Sequence, residues 1–480
     1  MSALIYALSV LSSLSTLEIP AGTQLHVRLT STVGTYASRP GSPVQAVLIA
    51  PVEVNGSTVL PAGSTLSGQV KSVRRVGFGI VHESAAIELQ FDRLVLPDRS
   101  ELPISARVIQ VDNGRERVNR KGLIQRERST ATLTYRGCGY IKTALLWHFQ
   151  AEVAFWAIKT LVVQVPEPEI YFQPGVELTL ASTAPLQATP PPVSPGTPPP
   201  LDAPEREELE GLVASLPGRT VSASTSLPSD LINIGLIGSR EQLKAAFAAA
   251  GWAKAHPVSF RSKVLGFKAV AEGMGYLSAP MSAQLLNSNE ADMSLQKGLN
   301  DVSKRHHIRV WKQASDWHGQ EVWAGAATRD VNFAYLRHGG RFTHTIEENI
   351  DQEREKIVYD LAFTSCVERA DWIDRPSFPR SARNATGDPI STDGRLALVR
   401  LNQCTRPRLT TDNSELNPVP KHGRGIQRFA RREVLSVRND LLRSNPYFRT
   451  YEGIRALIYV FRKSWPLLDA RNTQPARTSS

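Results

Sequence analysis

Residues 182–206 read STAPLQATPPPVSPGTPPPLDAPER and hold nine prolines in 25 residues. A segment of this composition cannot build a hydrophobic core, and it favours an extended polyproline II spacer. A ligand for an SH3-type domain is the alternative interpretation of the prolines. The whole chain of 480 residues is too long for one core. The sequence therefore predicts two separately packed bodies, one on either side of this segment.

The predicted fold class is a multidomain protein with an all-β barrel or sandwich domain followed by an α+β domain. Its segments, in chain order, are a candidate signal peptide over 1–15, a β-barrel-like domain over 17–181 with an amphipathic helix at about 143–165, the linker over 182–206, an α+β domain over 207–404 and a basic helical tail over 405–480.

The basic character of the chain is concentrated in its tail. The net charge is +11, and residues 405–480 contain 15 Lys and Arg against 6 Asp and Glu. No nucleic-acid partner is therefore expected for the protein as a whole. The tail reads as basic amphipathic helices, which lie on anionic membrane surfaces or dock on partner proteins. A solvated face on a packed helix is the alternative.

The barrel prediction depends on alternation and on a repeated turn. Leu25, Val27 and Leu29 alternate with polar residues, as in a strand with one buried face. The tripeptide Pro-Ala-Gly occurs at 20–22 and at 61–63, each time directly before a predicted strand. Pro fixes φ and Gly accepts a positive φ, so both tripeptides predict tight turns.

Export is predicted from the apolar run over 3–14, which small residues follow as in a secretory signal. A short buried strand is the alternative. These features predict a location in the periplasm or cell envelope, with association with a membrane as a further expectation. Of the three cysteines, Cys366 and Cys404 fall in one predicted domain and could pair, although two partly buried free thiols are the favoured interpretation.

The second domain is predicted to open with a strand over 231–237 and a helix that follows it. Ser239 and Gln242 match a capping box, and Gly251 marks the end of the helix. A strand over 306–311 then places His307, Arg309 and Trp311 on one face. Its predicted hairpin partner over 322–328 leads to Asp330.

Arginine forks and aromatic platforms recognise phosphate or carboxylate groups, so Arg309 and Trp311 are candidate ligand-binding residues. A solvated outer face is the alternative. A capping box at Thr345 and Glu348 predicts a helix that starts just after His344. Asp351 and Arg354 are spaced to pair on that helix.

The loop over 384–395 brings carboxylates, glycines and an arginine together before a strand. It adds Asp393 to the candidate catalytic residues His307, Asp330 and His344, and it adds Arg395 to the candidate ligand-binding residues Arg309, Trp311 and Arg354. Turn chemistry alone also explains this loop. Carboxylates with His307 and His344 could ligate Zn²⁺ or Mn²⁺. No HExxH, DxDxDG or GxSxG motif is present, so neither a metal nor a cofactor is predicted.

Residues of about 231–402 resemble the LssY carboxy-terminal domain family. The resemblance rests on five ordered motifs, which are RHHIRVW (305–311), GAATRD (325–330), THTI (343–346), IDQER (350–354) and GDP with TDGRL (387–396). It implies a fold unit and no activity. More loosely, residues of about 19–180 resemble the β-barrel of TrbI-type conjugation-channel proteins, through IPAGT (19–23), FDRL (91–94) and FQPGVEL (172–178). That family implies a helical hairpin that leaves the barrel and reaches the outer membrane.

Two functions follow as hypotheses. The first is a non-catalytic envelope scaffold or binding protein whose LssY-like domain recognises an anionic ligand, with a membrane surface or other envelope proteins as partners. The second is an envelope hydrolase that acts on a phosphorylated lipid or glycan, with His307, His344 and Asp330 or Asp393 as acid–base or metal groups.

Overall fold

The computed structural model describes residues 16–77, 83–128 without 113 and 115, 168–190, 198–272, 278–298, 304–336, 341–405 and 425–448, together with a few isolated positions. The predicted signal peptide and the predicted helix at about 143–165 lie outside these ranges. Within the described part of the chain, no helix combines the length and the apolar character that crossing a membrane requires.

The amino-terminal half of the chain is built from short antiparallel strands. They are β1 (Leu17–Ile19), β2 (Gln24–Leu29), β3 (Val33–Gly34), β4 (Pro43–Leu48), β5 (Val52–Val54), β6 (Ser57–Leu60), β7 (Thr65–Arg74), β8 (Ala86–Val95), β9 (Glu101–Val111), β10 (Arg117–Val118), β11 (Leu123–Gln125), β12 (Tyr171–Phe172), β13 (Glu177–Ser182) and β14 (Leu186–Ala188). We call this unit the barrel domain.

Six of these strands close on themselves. The ring runs β2–β4–β7–β8–β9–β13 and returns to β2, because β13 pairs with both β2 and β9. Alternate residues such as Leu25, Val27 and Leu29 point inward and are fully buried. The predicted all-β barrel is therefore confirmed, and the burial of its apolar face is the main source of its stability.

The two Pro-Ala-Gly turns have the same geometry. Gly22 has a φ of +90° and Gly63 a φ of +91°. In each turn the hydroxyl of the next residue, Thr23 or Ser64, donates to the proline carbonyl at 2.7 Å. Glycine adopts this backbone conformation without the steric penalty of a Cβ atom, which explains the repeat.

The second domain mixes strands and helices, as predicted. Its elements are α1 (Ala203–Ser215), β15 (Arg219–Ser222), β16 (Pro228–Leu231), β17 (Ile234–Ile237), α2 (Arg240–Ala249), β18 (Ala253–Lys254), α3 (Phe260–Glu272), β19 (Gln284–Leu286), β20 (Asn289–Glu290), β21 (Met293–Lys297), β22 (Arg305–Trp317), β23 (Gln320–Leu336), β24 (Arg341–Ile346), α4 (Asp351–Phe363), β25 (Val367–Asp374), β26 (Ser381–Arg383), β27 (Pro389–Ser391) and β28 (Arg395–Leu401).

A central sheet organises this domain in the order β18–β21–β22–β23–β17–β28–β25, with β24 paired to β23. Its two faces are both covered. Ile308 and Val310 pack under α2 and α4, whereas Trp311 packs with residues of α1. The face of β22 that holds His307, Arg309 and Trp311 is therefore buried between layers, and the alternative of a solvated outer face is wrong.

The sequence-based hairpin and helix cap are confirmed. β22 and β23 pair in register, with His307 opposite Thr328 and Arg305 opposite Asp330. Ser239 and Gln242 form both hydrogen bonds of the capping box at the start of α2. The predicted strand over 231–237 is instead two strands, because Asn233 breaks it and uses its side-chain amide to bond both backbone groups of Ala327.

Two predictions about local structure are corrected. His344 does not precede a helix but lies in β24, and α4 begins only at Asp351 with no side-chain cap. The proline-rich segment, predicted as a spacer over 182–206, is partly structured, and its residues 191–197 lie outside the described ranges. Its first part forms β14, which pairs with β1, and its last part enters α1, where Asp202 caps the helix.

The tail forms α5 (Gly425–Ser444), a helix as predicted, but its basic face contacts the barrel domain. Arg431 binds Glu169 at 2.7 Å, Arg438 donates to the carbonyl of Gly77 at 2.6 Å, and Leu435 joins the barrel core. Residues 406–424 of the predicted tail, and those beyond 458, lie outside the described residues.

A disulfide joins Cys366 to Cys404, and this corrects the expectation of two free thiols. Cys366 ends the loop after α4, while Cys404 follows β28, so the bond ties the end of the central sheet to the helix that covers it.

Candidate functional site

A buried cluster of charges joins the two domains. Arg28 on β2 and Glu177 on β13 belong to the barrel, whereas Lys297 on β21 and Lys356 and Asp360 on α4 belong to the second domain. We call these five residues the interface ion cluster. Glu177 lies 2.7 Å from Arg28, 2.9 Å from Lys297 and 2.9 Å from Lys356. Asp360 lies 3.3 Å from Arg28, 2.8 Å from Lys297 and 2.6 Å from Lys356.

The cluster fixes the charge of its members. Burial alone would raise the pKa of Glu177, but Lys297, Lys356 and Arg28 outweigh burial and hold that pKa well below its ordinary value. Burial, with help from Arg28, lowers the pKa of Lys297 to about 8. Two carboxylates thus hold three largely buried cations, and removal of one partner would leave an uncompensated charge.

A cavity of about 400 Å³ adjoins this cluster between the two domains. Its walls come from both sides of the interface and, among the described residues, are Thr23, Gln24, His26, Ile49, Ala50, Pro51, Val52, Glu53, Gln110, Asp112 and Thr179 of the barrel and His306, Arg329, Glu347, Asn349, Gln352, Glu353, Glu355, Lys356, Tyr359 and Asp360 of the second domain. This volume is in the range of pockets that bind small molecules.

His306 and Glu353 form a buried pair in the cavity wall. His306 Nδ1 lies 2.6 Å from Glu353 Oε2, and both side chains are almost completely buried. The other polar atom of each residue, His306 Nε2 and Glu353 Oε1, has no hydrogen-bond partner in the protein. Buried polar atoms without partners are costly, and these two belong to residues that line the cavity.

The opposite wall carries a second polar group. Thr179 Oγ1 donates to Asp112 at 3.0 Å and lies 3.4 Å from His26 Nδ1. Burial lowers the pKa of His26, although Asp112 opposes the shift. Arg329 reaches across the interface and donates to the carbonyl of Asp112 at 3.0 Å. The imidazole of His26 is therefore neutral near pH 7 and available as a hydrogen-bonding group.

Three of the four candidate catalytic residues come together, but not at this cavity. Asp330 lies 3.8 Å from His307 Nδ1 and 3.6 Å from His344 Nδ1, and Arg305 donates to it at 2.8 Å. Burial lowers the pKa of His307 to about 3, with Arg309 and Arg305 adding to the shift while Asp330 opposes it. At neutral pH His307 is therefore uncharged.

Asp393 lies apart from that group, in contact with Arg354 at 2.8 Å and Arg395 at 2.8 Å. Arg354 also binds Asp351 at 3.1 Å, as its spacing predicted, and it is completely buried. These ion pairs tie the loop before β28 to α4.

Arg309 and Trp311 also have partners within the protein. Arg309 lies 3.4 Å from Asp230 and donates to the carbonyl of Ser282 at 3.0 Å, and the Trp311 indole donates to the carbonyl of Asn289 at 3.0 Å. The four residues that the sequence offered for an anionic ligand thus form no common open site.

Sequence reasoning missed His306 by one position. His306 pairs across the hairpin with Arg329, so both point to the face of β22 and β23 opposite to that of His307 and Asp330. A signal was present, because alternation places His306 on the same side as the core residues Ile308 and Val310. A histidine on a buried face requires a polar partner, which here is Glu353 from α4.

The described residues include no group of three His, Cys, Asp or Glu side chains that could hold a metal ion. In particular, His307, His344 and Asp393 do not converge. The arrangement at the cavity can bind a polar group or move a proton through the His306 imidazole, which Glu353 orients.

Residues 213–396 match a family model described as LssY C-terminus. Among solved structures, the chain is similar to ComB10 of the Com type IV secretion system of Helicobacter pylori, with 10% identity, a TM-score of 0.20, and coverage of 36% of this chain and 93% of that one. A similarity this low assigns neither a fold nor a role to the present chain. Among curated proteins, none matches the sequence. The resemblance of the second domain to the LssY carboxy-terminal domain family is thus confirmed over residues 213–396.

Proposed function

We propose that this protein is a non-catalytic binding protein of the cell envelope, in which the barrel domain and the second domain together hold a small polar ligand. The proposal rests on the cavity between the domains and on His306 and Glu353 in its wall, each of which has one polar atom without a partner in the protein. The interface ion cluster supports it, because a fixed interface keeps both walls of the cavity in place.

The envelope location is supported by the disulfide between Cys366 and Cys404. Such bonds persist in oxidising compartments and are rare in the cytosol. The apolar run over 3–14 is consistent with export.

The chemistry of the cavity favours a ligand with a cationic or donor-rich group. Six carboxylates and two permanent cations belong to its described lining. Both cations already have carboxylate partners, since Lys356 binds Glu177 and Asp360 while Arg329 lies 3.8 Å from Asp112. Glu353 Oε1 would accept a hydrogen bond from an ammonium or guanidinium group. The anionic ligand predicted from the sequence is less favoured, because the two cations in the described lining are already paired with carboxylates.

Calorimetric titration of the purified chain tests this proposal. The probes are one basic set (spermidine, glucosamine and arginine) and one acidic set (phosphate, citrate and glucose 6-phosphate). We expect binding from the basic set alone, weakened about tenfold or more by Glu353→Gln, which removes a charge-assisted bond. Glu348→Gln changes an exposed glutamate just before α4 that does not line the cavity, so this matched control should leave binding unchanged. Binding confined to the acidic set would overturn the proposed ligand class.

A hydrolase that acts on a phosphorylated lipid or glycan is the second candidate. The His306–Glu353 pair favours it, since a carboxylate that orients an imidazole is a common arrangement of a general base. Within the described residues no Ser or Cys side chain bonds His306, so water would be the nucleophile. A panel of phosphomonoester and phosphodiester substrates separates the two functions. Turnover that disappears in His306→Gln would establish the hydrolase. No turnover of any substrate in the panel would exclude this second candidate.

A further inference from the structure

Helix α3 turns its large apolar side chains toward solvent. Phe260 is 85% exposed, Phe267 is 72% exposed and Val264 is 47% exposed. Positions 260, 264 and 267 fall on one face of a helix, because they are four and three residues apart. The opposite face is buried through the small residues Ser262 and Ala269. A surface helix of a globular protein normally shows the reverse arrangement.

The helix stands at an edge of the second domain and is held at both ends. It follows β18, the first strand in the order of the central sheet. The backbone of His256, before the helix, bonds the carbonyl of Ser278, after it, at 2.9 Å. Ser259 and Ser262 fix the first turn, with the amide of Ser259 donating to Ser262 Oγ at 2.8 Å. The apolar stripe is thus presented by an anchored helix and not by a frayed terminus.

Basic side chains flank the stripe. Arg261 and Lys263 are exposed on either side of it, and Lys254 is exposed just before the helix. Residues 252–272 contain four Lys and Arg and one acidic residue, Glu272 at the end of the helix. Exposed apolar side chains flanked by Lys and Arg are typical of helices that lie in the headgroup region of an anionic bilayer.

We propose that α3 is a docking surface for an anionic phospholipid bilayer. Phe260, Val264 and Phe267 enter the boundary between headgroups and acyl chains, while Arg261 and Lys263 bind lipid phosphates. The positive charge around the stripe favours an anionic bilayer over an uncharged apolar partner. A single apolar stripe on one helix face also matches the flat surface of a bilayer. The inference concerns a surface remote from the cavity ligand and does not depend on it.

Sedimentation of the full chain with vesicles tests the proposal. One set of vesicles contains equal parts of phosphatidylglycerol and phosphatidylcholine, and the other contains phosphatidylcholine alone. We expect the chain to bind the anionic set more tightly and to lose this preference at high salt. Arg261→Gln with Lys263→Gln should weaken anionic binding about 25-fold, since each charge near the surface contributes about fivefold.

The paired change Phe260→Ser and Phe267→Ser should weaken binding to both vesicle sets about tenfold or more. Leu227→Ser with Val221→Ser, which removes exposed apolar side chains elsewhere in the domain, is the matched control and should bind as the original chain does. Unchanged binding in either α3 variant would overturn the proposal. The proposal would also be overturned if the chain self-associates without lipid and the phenylalanine changes abolish this association. The partner of α3 would then be a second copy of the chain.

Discussion

The ammonium of Lys297 lies 2.9 Å from Oε1 of Glu177, and this contact crosses the interface between the second domain and the barrel. Glu177 is completely buried, and β13, which carries it, is the strand that closes the barrel. One carboxylate therefore links barrel closure to the position of the second domain. This contact ties the two domains together beside the cavity.

Replacement of Glu177 should uncouple the domains. Glu177→Gln leaves Arg28, Lys297 and Lys356 with one buried carboxylate, and an uncompensated buried charge costs about 3–5 kcal/mol. We expect guanidinium unfolding at neutral pH to start at lower denaturant and to separate into two steps. Glu88→Gln, which breaks the exposed Lys71–Glu88 pair of 2.9 Å, is the control and should cost less than about 1 kcal/mol. Equal effects of the two changes would contradict the role of the cluster.

Acid should destabilise the protein through His307. Its pKa is about 3 in the folded chain, against 6.5 in the unfolded chain, so between these values the unfolded chain binds more protons. Stability is then fully present above about pH 6.5 and falls as the pH decreases toward 3. The expected loss from this group is about 2–3 kcal/mol between about pH 6.5 and pH 4.5.

Urea unfolding at several pH values compares the original chain with His307→Gln. The variant should lose less stability than the original chain over the same interval, because glutamine does not titrate. In the original chain Asp330 titrates at lower pH, because His307, Arg305 and His344 outweigh burial and hold its pKa below the ordinary value. Parallel pH profiles for the two proteins would show that His307 is charged or solvated in the folded chain.

Local patterns predicted the elements that depend on local physics. The Pro-Ala-Gly turns, the capping box at Ser239 and the hairpin over β22 and β23 all follow from neighbouring residues, and each was found. The capping-box match at Thr345 failed because pairing between β24 and β23 extends to Ile346 and overrides the helix signal.

The cavity could not be read from the sequence because its walls are distant along the chain. His26 and Glu353 lie more than 300 residues apart and meet only when the domains pack. Similarly, the arginines offered as ligand-binding residues carry the right chemistry. Their carboxylate partners, such as Asp393 for Arg354, become visible only in three dimensions.

The structural role of Arg354 gives a third prediction. Its side chain is completely buried and binds Asp351 and Asp393, so Arg354→Ala should cost about 3 kcal/mol or more in a denaturant titration. Arg395→Ala removes a partly exposed partner of the same carboxylate and should cost at most about 1 kcal/mol. Equal losses of stability in the two variants would contradict this prediction. Loss of ligand binding in Arg354→Ala without loss of stability would instead assign Arg354 to a binding site.

The disulfide gives the fourth prediction. Its cysteines are 38 residues apart, and closing a loop of this length stabilises the folded state by about 4 kcal/mol through the entropy of the unfolded chain. Cys366→Ala with Cys404→Ala should lower the free energy of unfolding by about that amount. Dithiothreitol should lower the free energy of unfolding of the original chain and leave that of the double variant unchanged. The double variant thus controls for effects of the reagent other than reduction of the disulfide. Peptide mapping of the non-reduced protein should recover both cysteines in one linked fragment. Separate alkylated peptides would contradict the bond, and with it the support that it lends to an oxidising location.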